Sequence, residues 1–396
     1  MNLLKTTMSL LEFKPSESTN IGLEMELQLL DPASMNLVEG ILPILEENKG
    51  NDLIKAEFNQ ETIEVTTGIC KNFNELQSNI FSTILTVKNS CNKLGMTLSG
   101  GGTHPFCKRL ARITPTKRYL EIEKRTGYLA HIHRTYSLHV HIGMKSGEEA
   151  IYVMKRLRSY LPLFLALSAS SPFWWGHESG YASYRHRLLA SMRSYGLPHY
   201  FKDWNDFTSF FEGASRAGAY VTVKDLHWDM RPRPDMGTLE VRVMDGQPTL
   251  RKTLALAAFV YLTVGGIKKS RDKTNIIELL PLTPYWVERE NHFMASRSGI
   301  DSPYILDNSG NTSPTRDIID LTIDSIKNSD DIGGAFKHLD HVKEILEKGT
   351  STTEQRKVFK ERGSLKAVSA SLVKELEEEL LNYTNSLKEN HHSLSG

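Results

Sequence analysis

The sequence predicts an α+β fold, with a mixed but mainly antiparallel sheet covered by helices, because two patterns recur along it. Apolar and polar residues alternate with a period of two, as in strands with one buried face, at 21–30, 53–58, 62–67, 96–99, 137–144 and 238–244. Helical periodicity lies between these segments, and two or three polar amphipathic helices are predicted over residues 317–388. The 396 residues, 39% of them hydrophobic, suffice for one large domain or two.

Two helices are predicted between the strands. Residues 74–94 carry apolar side chains at steps of three and four, and Gly95 follows as a C-cap. A second helix is predicted over residues 148–160, interrupted at Pro162.

The longest apolar stretch, residues 253–266, predicts a buried core helix that ends at Gly265–Gly266. It is shorter than the roughly 20 residues that span a membrane, so no membrane association is expected. Residues 295–316 are rich in Ser, Asn, Asp, Gly and Pro, which is typical of a long loop or lid. We therefore divide the chain into a main domain at 1–290 and a loop with packed helices at 291–396.

Composition excludes some classes of partner. Lys and Arg number 48 against 47 Asp and Glu, so no overall field favours nucleic acid or an anionic membrane. The three cysteines form no C-x-x-C pair, which indicates reduced thiols. The N-terminal segment, broken by Lys5, Glu12 and Lys14, lacks the apolar core of a signal peptide. A cytoplasmic protein is expected, and a homo-oligomer is compatible with the sequence.

Five of the strands share one design, an aliphatic face backed by acidic or basic side chains. The polar faces carry Glu24, Glu26, Glu57, Glu64, His139, His141, Glu240 and Arg242. Carboxylates on one sheet face repel each other unless cations lie between them, and hard divalent ions with oxygen ligands meet that need. If the strands lie in one sheet, a metal-lined face is favoured over a solvated one. His141 is as well explained as a hydrogen-bonded structural residue as by a ligand role.

Three further motifs are candidates for binding anions. G-G-G-T-H-P-F (100–106) is a glycine-rich turn whose N–H groups could receive phosphate or carboxylate, with a plain tight turn as the equal alternative. W-D-M-R-P-R-P (228–234) places Arg231 and Arg233 in a loop stiffened by prolines, where they could clamp an anion or lie in solvent. Arg185 lies in the loop S-G-Y-A-S-Y-R-H-R, where it could likewise contact an anion or lie in solvent.

Several of these motifs together make the chain resemble a known family. I-G-L-E-M-E-L-Q-L-L-D-P, G-G-T-H-P-F, L-H-V-H-I-G, L-S-A-S-S-P, W-D-M-R-P-R-P and G-T-L-E-V-R-V-M-D occur in this order over residues 20–265. They resemble the carboxylate–amine ligases of the type 2 glutamate–cysteine ligase family. The resemblance implies a glutamine-synthetase-like catalytic domain, with a curved antiparallel sheet, helices outside it and the active site on its inner face. It also implies ATP-dependent joining of glutamate, through its γ-carboxylate and an acyl phosphate, to an amine such as cysteine or another amino acid.

The resemblance also implies roles for individual residues. Metal ligands for Mg²⁺, with Mn²⁺ as an alternative, would be Glu24, Glu26, Glu57, Glu64, His139 and Glu240. Nucleotide would be bound by His139, His141 and Arg242, catalytic arginines would be Arg242, Arg231 and Arg185, and substrate would contact Gly102, Thr103, His104 and Arg185. The tryptophans of S-P-F-W-W-G-H-E (171–178) depart from the family pattern and are expected to alter the substrate pocket.

Two alternative functions have their own expectations. A zinc-dependent amidohydrolase or peptidase would use the His139–His141 pair and the glutamates, although the H-E-x-x-H motif is absent. A non-catalytic homologue would bind amino acid or nucleotide without turnover, which retention of every acidic ligand position disfavours.

Overall fold

The computed structural model describes residues 11–17, 19–272, 279–327 and 333–394. Its strands are β1 (Ile21–Leu30), β2 (Ile54–Ala56), β3 (Thr62–Thr66), β4 (Thr97–Ser99), β5 (Ser137–Gly143), β6 (Phe173–Trp174), β7 (His177–Glu178), β8 (Met230–Arg233), β9 (Thr238–Asp245), β10 (Pro303–Ile305) and β11 (Thr312–Pro314). Within the described ranges, seven of them form one sheet in the order β2-β3-β1-β5-β9-β8, with β4 also paired to β1. Every pairing in this sheet is antiparallel.

The α-helices of the described residues are α1 (Ile41–Glu47), α2 (Phe73–Lys93), α3 (Lys117–Thr126), α4 (Tyr128–Ile132), α5 (Gly147–Leu157), α6 (Leu161–Ser168), α7 (Tyr184–Leu189), α8 (Trp204–Arg216), α9 (Leu250–Arg271), α10 (Tyr285–Ser298), α11 (Thr315–Lys327), α12 (Leu339–Lys348), α13 (Ser351–Arg362) and α14 (Leu365–Leu394). Short 3₁₀ turns occupy Val223–Asp225, Gly299–Asp301 and Phe336–His338.

The core lies on the aliphatic side of the sheet. In β1 the side chains of Ile21, Leu23, Met25, Leu27 and Leu29 are almost fully buried. Helix α2 packs on β1, β3 and β4, α9 on β5, and α5 and α6 on β9. Burying each large aliphatic side chain contributes about 1.5–3 kcal/mol, so the sheet is held firmly from this side while its other side stays open for polar groups.

All six predicted strands are confirmed, with one shortened. Residues 53–58 form strand only over Ile54–Ala56, because the chain then leaves the sheet to meet residues 113–114, where the N–H of Thr114 donates to Phe58 O at 2.9 Å. The prediction of a loop at residues 228–234 is wrong, since Met230–Arg233 is β8. Proline lacks the N–H that a central strand needs, and β8 tolerates Pro232 because it is the edge strand of the sheet.

The helix predictions hold with one correction. Helices α2 and α5 match the predictions at 74–94 and 148–160, and α6 begins around Pro162. Helix α9 does not end at Gly265–Gly266 but continues to Arg271, because Ile267 is fully buried and Lys268 Nζ donates to Gly143 O at 2.5 Å. By length and mean hydropathy (1.4) this helix could cross a membrane, yet 83% of its apolar window is buried inside the protein, as in a core helix.

The C-terminal part is more ordered than the sequence indicates. Residues 295–316, predicted as a loop or lid, form the end of α10, a 3₁₀ turn, the β10–β11 hairpin and the start of α11. Four helices, α11 to α14, follow where two or three were predicted, within the part of the chain that the structure describes. Helices α11 and α12 pack on α9, and α14 packs on β4.

Candidate active site

The polar face of the sheet is the floor of a cavity of about 770 Å³. Strands β1, β2, β3, β5, β8 and β9 supply the floor, and α3 and α7 supply two walls. Residues within 57–59, 130–135, 192–195 and 218–227, together with Met236, complete the lining. None of residues 295–316, all of which are described, lines the cavity. The interpretation of that segment as a cover therefore finds no support in its position.

Strand register brings the predicted acidic residues together. Glu26 on β1 is directly opposite Glu64 on β3, and Glu24 is opposite His139 on β5. Further along the sheet, His141 is opposite Glu240 on β9. Like charges directly opposite each other destabilise a sheet. The Glu26–Glu64 pair therefore indicates a face built around something positive.

Glu26, Glu57 and Glu64 form the first group of ligand atoms. One oxygen of each lies within 4.8 Å of the others. Burial and the neighbouring Glu26 raise the pKa of Glu57 to about 7, and burial with Glu24 and Glu57 raises the pKa of Glu64 well above its usual value. The nearest counter-charge to Glu64 is Lys55 Nζ at 3.7 Å. The neighbouring positive charge does not balance these three carboxylates. This is expected of a site for a hard cation when the ion is not bound.

Glu24, His141 and Glu240 form the second group, also with ligand atoms within 4.8 Å of one another. His141 Nε2 lies 3.3 Å from Glu24 Oε1 and 3.9 Å from Glu240 Oε1. Burial alone would raise the pKa of both glutamates. His141 and His139 keep that of Glu24 well below its usual range, and Arg231 and Arg242 do the same for Glu240. Both carboxylates are therefore ionised at neutral pH.

The residues present fit a bound divalent cation. Within the described ranges, the buried Nε2 atoms of His139 and His141 have no hydrogen-bond partner. His141 Nε2 is close to Glu24 Oε1 without the alignment of a hydrogen bond, as expected of two ligand atoms directed at a shared ion. The carboxylate oxygens, which outnumber the imidazoles in these groups, suit Mg²⁺ or Mn²⁺.

His139 lies between the two groups. Its Nδ1 is 3.1 Å from Glu24 Oε2 and 3.3 Å from Arg242 Nη1, and its Nε2 is 4.0 Å from Glu26 Oε1. Burial and the guanidinium of Arg242 lower the pKa of His139, so the imidazole is neutral at pH 7 and keeps a lone pair. The resemblance assigns His139 to both metal and nucleotide and His141 to nucleotide, whereas in the structure His141 belongs to a three-residue group of possible metal ligands.

Three arginines surround Glu240. Arg231 holds the carboxylate with two hydrogen bonds, from Nε at 2.7 Å and Nη2 at 3.2 Å, while its Nη1 donates to Lys224 O and Leu226 O. Arg242 Nη1 donates to the same carboxylate, and Arg233 Nη1 approaches it at 3.5 Å. Burial and the neighbouring Arg242 lower the pKa of Arg231 to about 10. With most of its donors committed, Arg231 is better placed to fix Glu240 than to contact a phosphate.

Arg185 lies in the first turn of α7 and lines the cavity, so the prediction that it lies in a loop is wrong. The residue is 3% exposed, and its Nη1 and Nη2 donate at 3.3 Å to the carbonyls of Val243 and Arg242. The Nε atoms of Arg185 and Arg242 are buried without a hydrogen-bond partner among the described residues. Both arginines line the cavity, and each keeps one donor that is committed to no acceptor of the described residues.

The glycine-rich turn is not part of the cavity lining within the described residues. Thr103 Oγ1 donates to Phe173 O at 2.8 Å, and His104 Nε2 lies 2.8 Å from Met35 O. Burial lowers the pKa of His104 to about 4, so it is a neutral core residue. The structure does not bring Gly102, Thr103 and His104 to the site where they were predicted to contact substrate.

The tryptophan pair also lies outside the cavity as described. Trp174 and Trp175 stack on each other with ring centroids 6.0 Å apart, on the short β6–β7 hairpin. The expectation that they reshape the substrate pocket is not supported by this placement.

Sequence reasoning missed the aromatic part of the walls. Tyr195 and His227 pack with ring centroids 5.0 Å apart, and Tyr119 on α3 approaches Glu57 with its hydroxyl 3.4 Å from Oε2. Arg118 on α3 is a further wall residue. Tyr195 and His227 lie outside strands and helices, so no periodicity marks them. The only available signal was the K-R-Y at the start of α3, a polar helix with no buried residue.

Sequence comparison assigns the family. The profile of glutamate–cysteine ligase family 2 (GCS2) matches residues 20–371. A protein of Trichormus variabilis with the provisional name glutamate–cysteine ligase 2 is 47% identical over 371 residues, covering 93% of this chain and 96% of its own length. A protein of Thermobifida fusca with the same provisional name is 35% identical over 372 residues, covering 92% of each chain.

The chain belongs to glutamate–cysteine ligase family 2. It is therefore a ligase that forms an amide bond with the use of ATP, as the motifs predicted. The hydrolase and the non-catalytic alternatives are not favoured.

Solved structures confirm the fold. Glutamate–cysteine ligase of Francisella tularensis in complex with AMP matches with a TM-score of 0.61 at 12% identity, covering 95% of each chain. A bifunctional glutathione synthetase from Pasteurella multocida matches with a TM-score of 0.63 at 12% identity, covering 91% of this chain and 52% of its own. The predicted α+β, glutamine-synthetase-like fold with its antiparallel sheet is thus correct.

Proposed function

We propose that this family member activates the γ-carboxylate of glutamate as an acyl phosphate and transfers the acyl group to the amine of cysteine or a related amino acid. One observation carries the proposal. The Glu26–Glu57–Glu64 group, Glu24, His139 and two arginines with uncommitted Nε donors line a single cavity, and His141 and Glu240 lie buried next to Glu24. Phosphoryl transfer needs this combination, because its transition state spreads negative charge over several oxygens.

The metal ligands we assign are Glu26, Glu57 and Glu64 for one ion and Glu24, His141 and Glu240 for another, with His139 between them. Mg²⁺ or Mn²⁺ bound there would screen the charge of the ATP phosphates during γ-phosphoryl transfer. Glu24 and Glu240 are ionised at neutral pH and need no proton loss before they bind a cation.

The protein's own cations would act on the anionic groups. Arg242 and Arg185 can each donate through Nε to a phosphate or carboxylate oxygen without breaking the bonds that now hold them. Such fixed donors stabilise charge that develops both as the carboxylate attacks the phosphorus and as the amine displaces the phosphate. We assign Arg231 to positioning, since its two bonds orient the Glu240 carboxylate.

Glutamate and cysteine are proposed because the relatives' names specify them. We further propose a cytoplasmic location, which suits three free and buried cysteines. Residues 1–290 would carry the catalytic machinery, and residues 291–396 would support it by packing, as α12 does on α9.

A screen of amino acid pairs tests the proposal. Purified protein with ATP and Mg²⁺ should release ADP only when a carboxylate and an amine are both present, and mass spectrometry should detect the amide. Release of ADP with water as the sole acceptor, or an ATP-independent cleavage of amides, would refute it.

Glu64→Gln is the decisive variant. It should abolish ADP release without lowering the unfolding midpoint, because it removes a carboxyl whose charge is opposed by burial and by Glu24 and Glu57. Glu121→Gln, an exposed glutamate on α3, is the matched control and should keep full activity. Unchanged turnover in Glu64→Gln would contradict the metal assignment.

A further inference from the structure

The segment before α7 converges on one buried carboxylate, that of Asp245 at the end of β9. Asp245 is 0% exposed. Its Oδ2 accepts from the backbone N–H of Ser170 at 2.9 Å and from the hydroxyl of Ser171 at 2.7 Å, and its Oδ1 accepts from the hydroxyl of Ser183 at 2.7 Å. Among the described residues, none of these four lines the cavity.

Two of these serines determine where α7 begins. Ser183 is at the N-cap position of α7, but its hydroxyl bonds Asp245 and leaves the helix uncapped by its own side chain. The N–H of Arg185 donates instead to Ser171 Oγ at 3.0 Å, and the N–H of Tyr184 donates to Ser171 O at 3.1 Å. The first N–H groups of a helix need partners from outside it, so Ser171 is the effective cap of α7.

We infer that Asp245 is a positioning residue that acts on the cavity through Ser171, Ser183 and Arg185. Asp245 fixes the hydroxyls of the two serines, these fix the first turn of α7, and the first turn sets the origin of the Arg185 side chain. The carboxylate also lies 3.8 Å from Arg185 Nη1. The catalytic meaning of this arrangement rests on the proposed function, whereas the positioning of Arg185 does not.

The same carboxylate gives the glycine-rich turn a role. A Cβ on Gly102 would lie 2.8 Å from the carboxyl carbon and from Oδ2 of Asp245. Contacts this short do not occur, so an alanine there must displace the carboxylate or the turn. Gly102 is thus required for space beside Asp245, and this role needs no contact with substrate.

Neighbouring serines provide a matched test. Ser170 and Ser171 are both fully buried, but Ser170 Oγ contacts Ser351 Oγ at 2.9 Å and Gln355 Nε2 at 3.3 Å, away from Arg185. Since misplacing a reacting group by about 1 Å can cost roughly 100-fold in rate, Ser171→Ala should lower kcat for ADP release by about tenfold. Ser170→Ala should stay within about twofold of the wild type, with a similar change in unfolding midpoint.

Coupling to Arg185 separates positioning from general destabilisation. In an Arg185→Lys background, Ser171→Ala and Gly102→Ala should cause little further loss of kcat, because the group they position has already been changed. Equal losses of kcat in Ser170→Ala and Ser171→Ala would overturn the inference. It would also be overturned if Ser171→Ala lowered kcat as much in the Arg185→Lys background as in the wild type.

A crystallographic measurement keeps the inference independent of the proposed function. In crystals, Ser171→Ala should displace the guanidinium of Arg185 relative to Ser170→Ala and the wild type. If the wild type released no ADP with any amino acid pair, the proposed function would fail while this displacement still tested the inference. An unchanged position of Arg185 in Ser171→Ala would refute the inference alone.

Discussion

Removing one charge from the Glu26–Glu57–Glu64 group should make the metal-free protein more stable at alkaline pH. The folded protein raises the pKa of Glu57 from 4.5 to about 7, through burial and then through Glu26. The Glu57 carboxyl therefore binds its proton more tightly in the folded protein than in the unfolded chain, so the free energy of unfolding falls as the pH rises. The contribution of the protonated Glu57 carboxyl to stability is fully present below pH 4.5 and is lost as the pH rises through about 7.

The magnitude follows from the two pKa values. Between pH 5 and pH 8 the loss is about 2.5 kcal/mol in the free energy of unfolding, since one pH unit of difference corresponds to about 1.4 kcal/mol. Glu57→Gln carries no titrating group. Its free energy of unfolding relative to the wild type should therefore increase by about 2.5 kcal/mol over this range.

Urea unfolding at pH 5 and pH 8, after treatment with EDTA, measures this difference. Glu121→Gln, exposed on α3, is the control and should track the wild type at both values. Added Mg²⁺ should stabilise the wild type more at pH 8 than at pH 5, because protons compete for the ligands at the lower pH, and should stabilise Glu57→Gln less. If the free energies of unfolding of the wild type and of Glu57→Gln changed by the same amount between pH 5 and pH 8, the prediction would be refuted.

Two further predictions concern buried arginines. Arg242→Lys should lower kcat by about 100-fold, because a lysine carries its donors on one nitrogen and cannot bond Glu240 while replacing the separate Nε donor of the guanidinium; steady-state ADP release measures it, and a loss below threefold would contradict it. Arg158→Met should cost about 3–5 kcal/mol in the free energy of unfolding, because it leaves the Glu288 carboxylate buried without its Arg158 partner. Urea unfolding measures the second, with Arg216→Met, an exposed residue on α8, as the control expected to change stability by less than about 0.5 kcal/mol.

The local pattern predicted the strands because alternation depends only on neighbours in the chain. The sequence could therefore indicate which side chains share a face, including Glu24, Glu26 and His139. It could not give the register between strands, which depends on packing contacts far apart in sequence. The register places His139 opposite Glu24 and His141 opposite Glu240, and the His141 side chain also reaches Glu24 Oε1 at 3.3 Å.

Elsewhere tertiary contacts overrode local signals. The prolines of residues 228–234 indicate a loop, yet an edge strand accommodates them. The glycines at 265–266 indicate a helix end, yet burial of Ile267 continues α9 beyond them. Tyr195 and His227 line the cavity from irregular segments, and no pattern in a single sequence indicates that these segments lie near the cavity.

Strand β1 supplies a carboxylate to each ligand group, Glu26 to one and Glu24 to the other. Residues two apart on a strand are separated by roughly 6.5–7 Å along it, so the pitch of the backbone itself sets how far apart the two acidic anchors lie. Helices that slide or loops that open cannot alter that spacing. The walls at α3 and residues 218–227 can therefore change while the strand keeps the same distance between the two carboxylates.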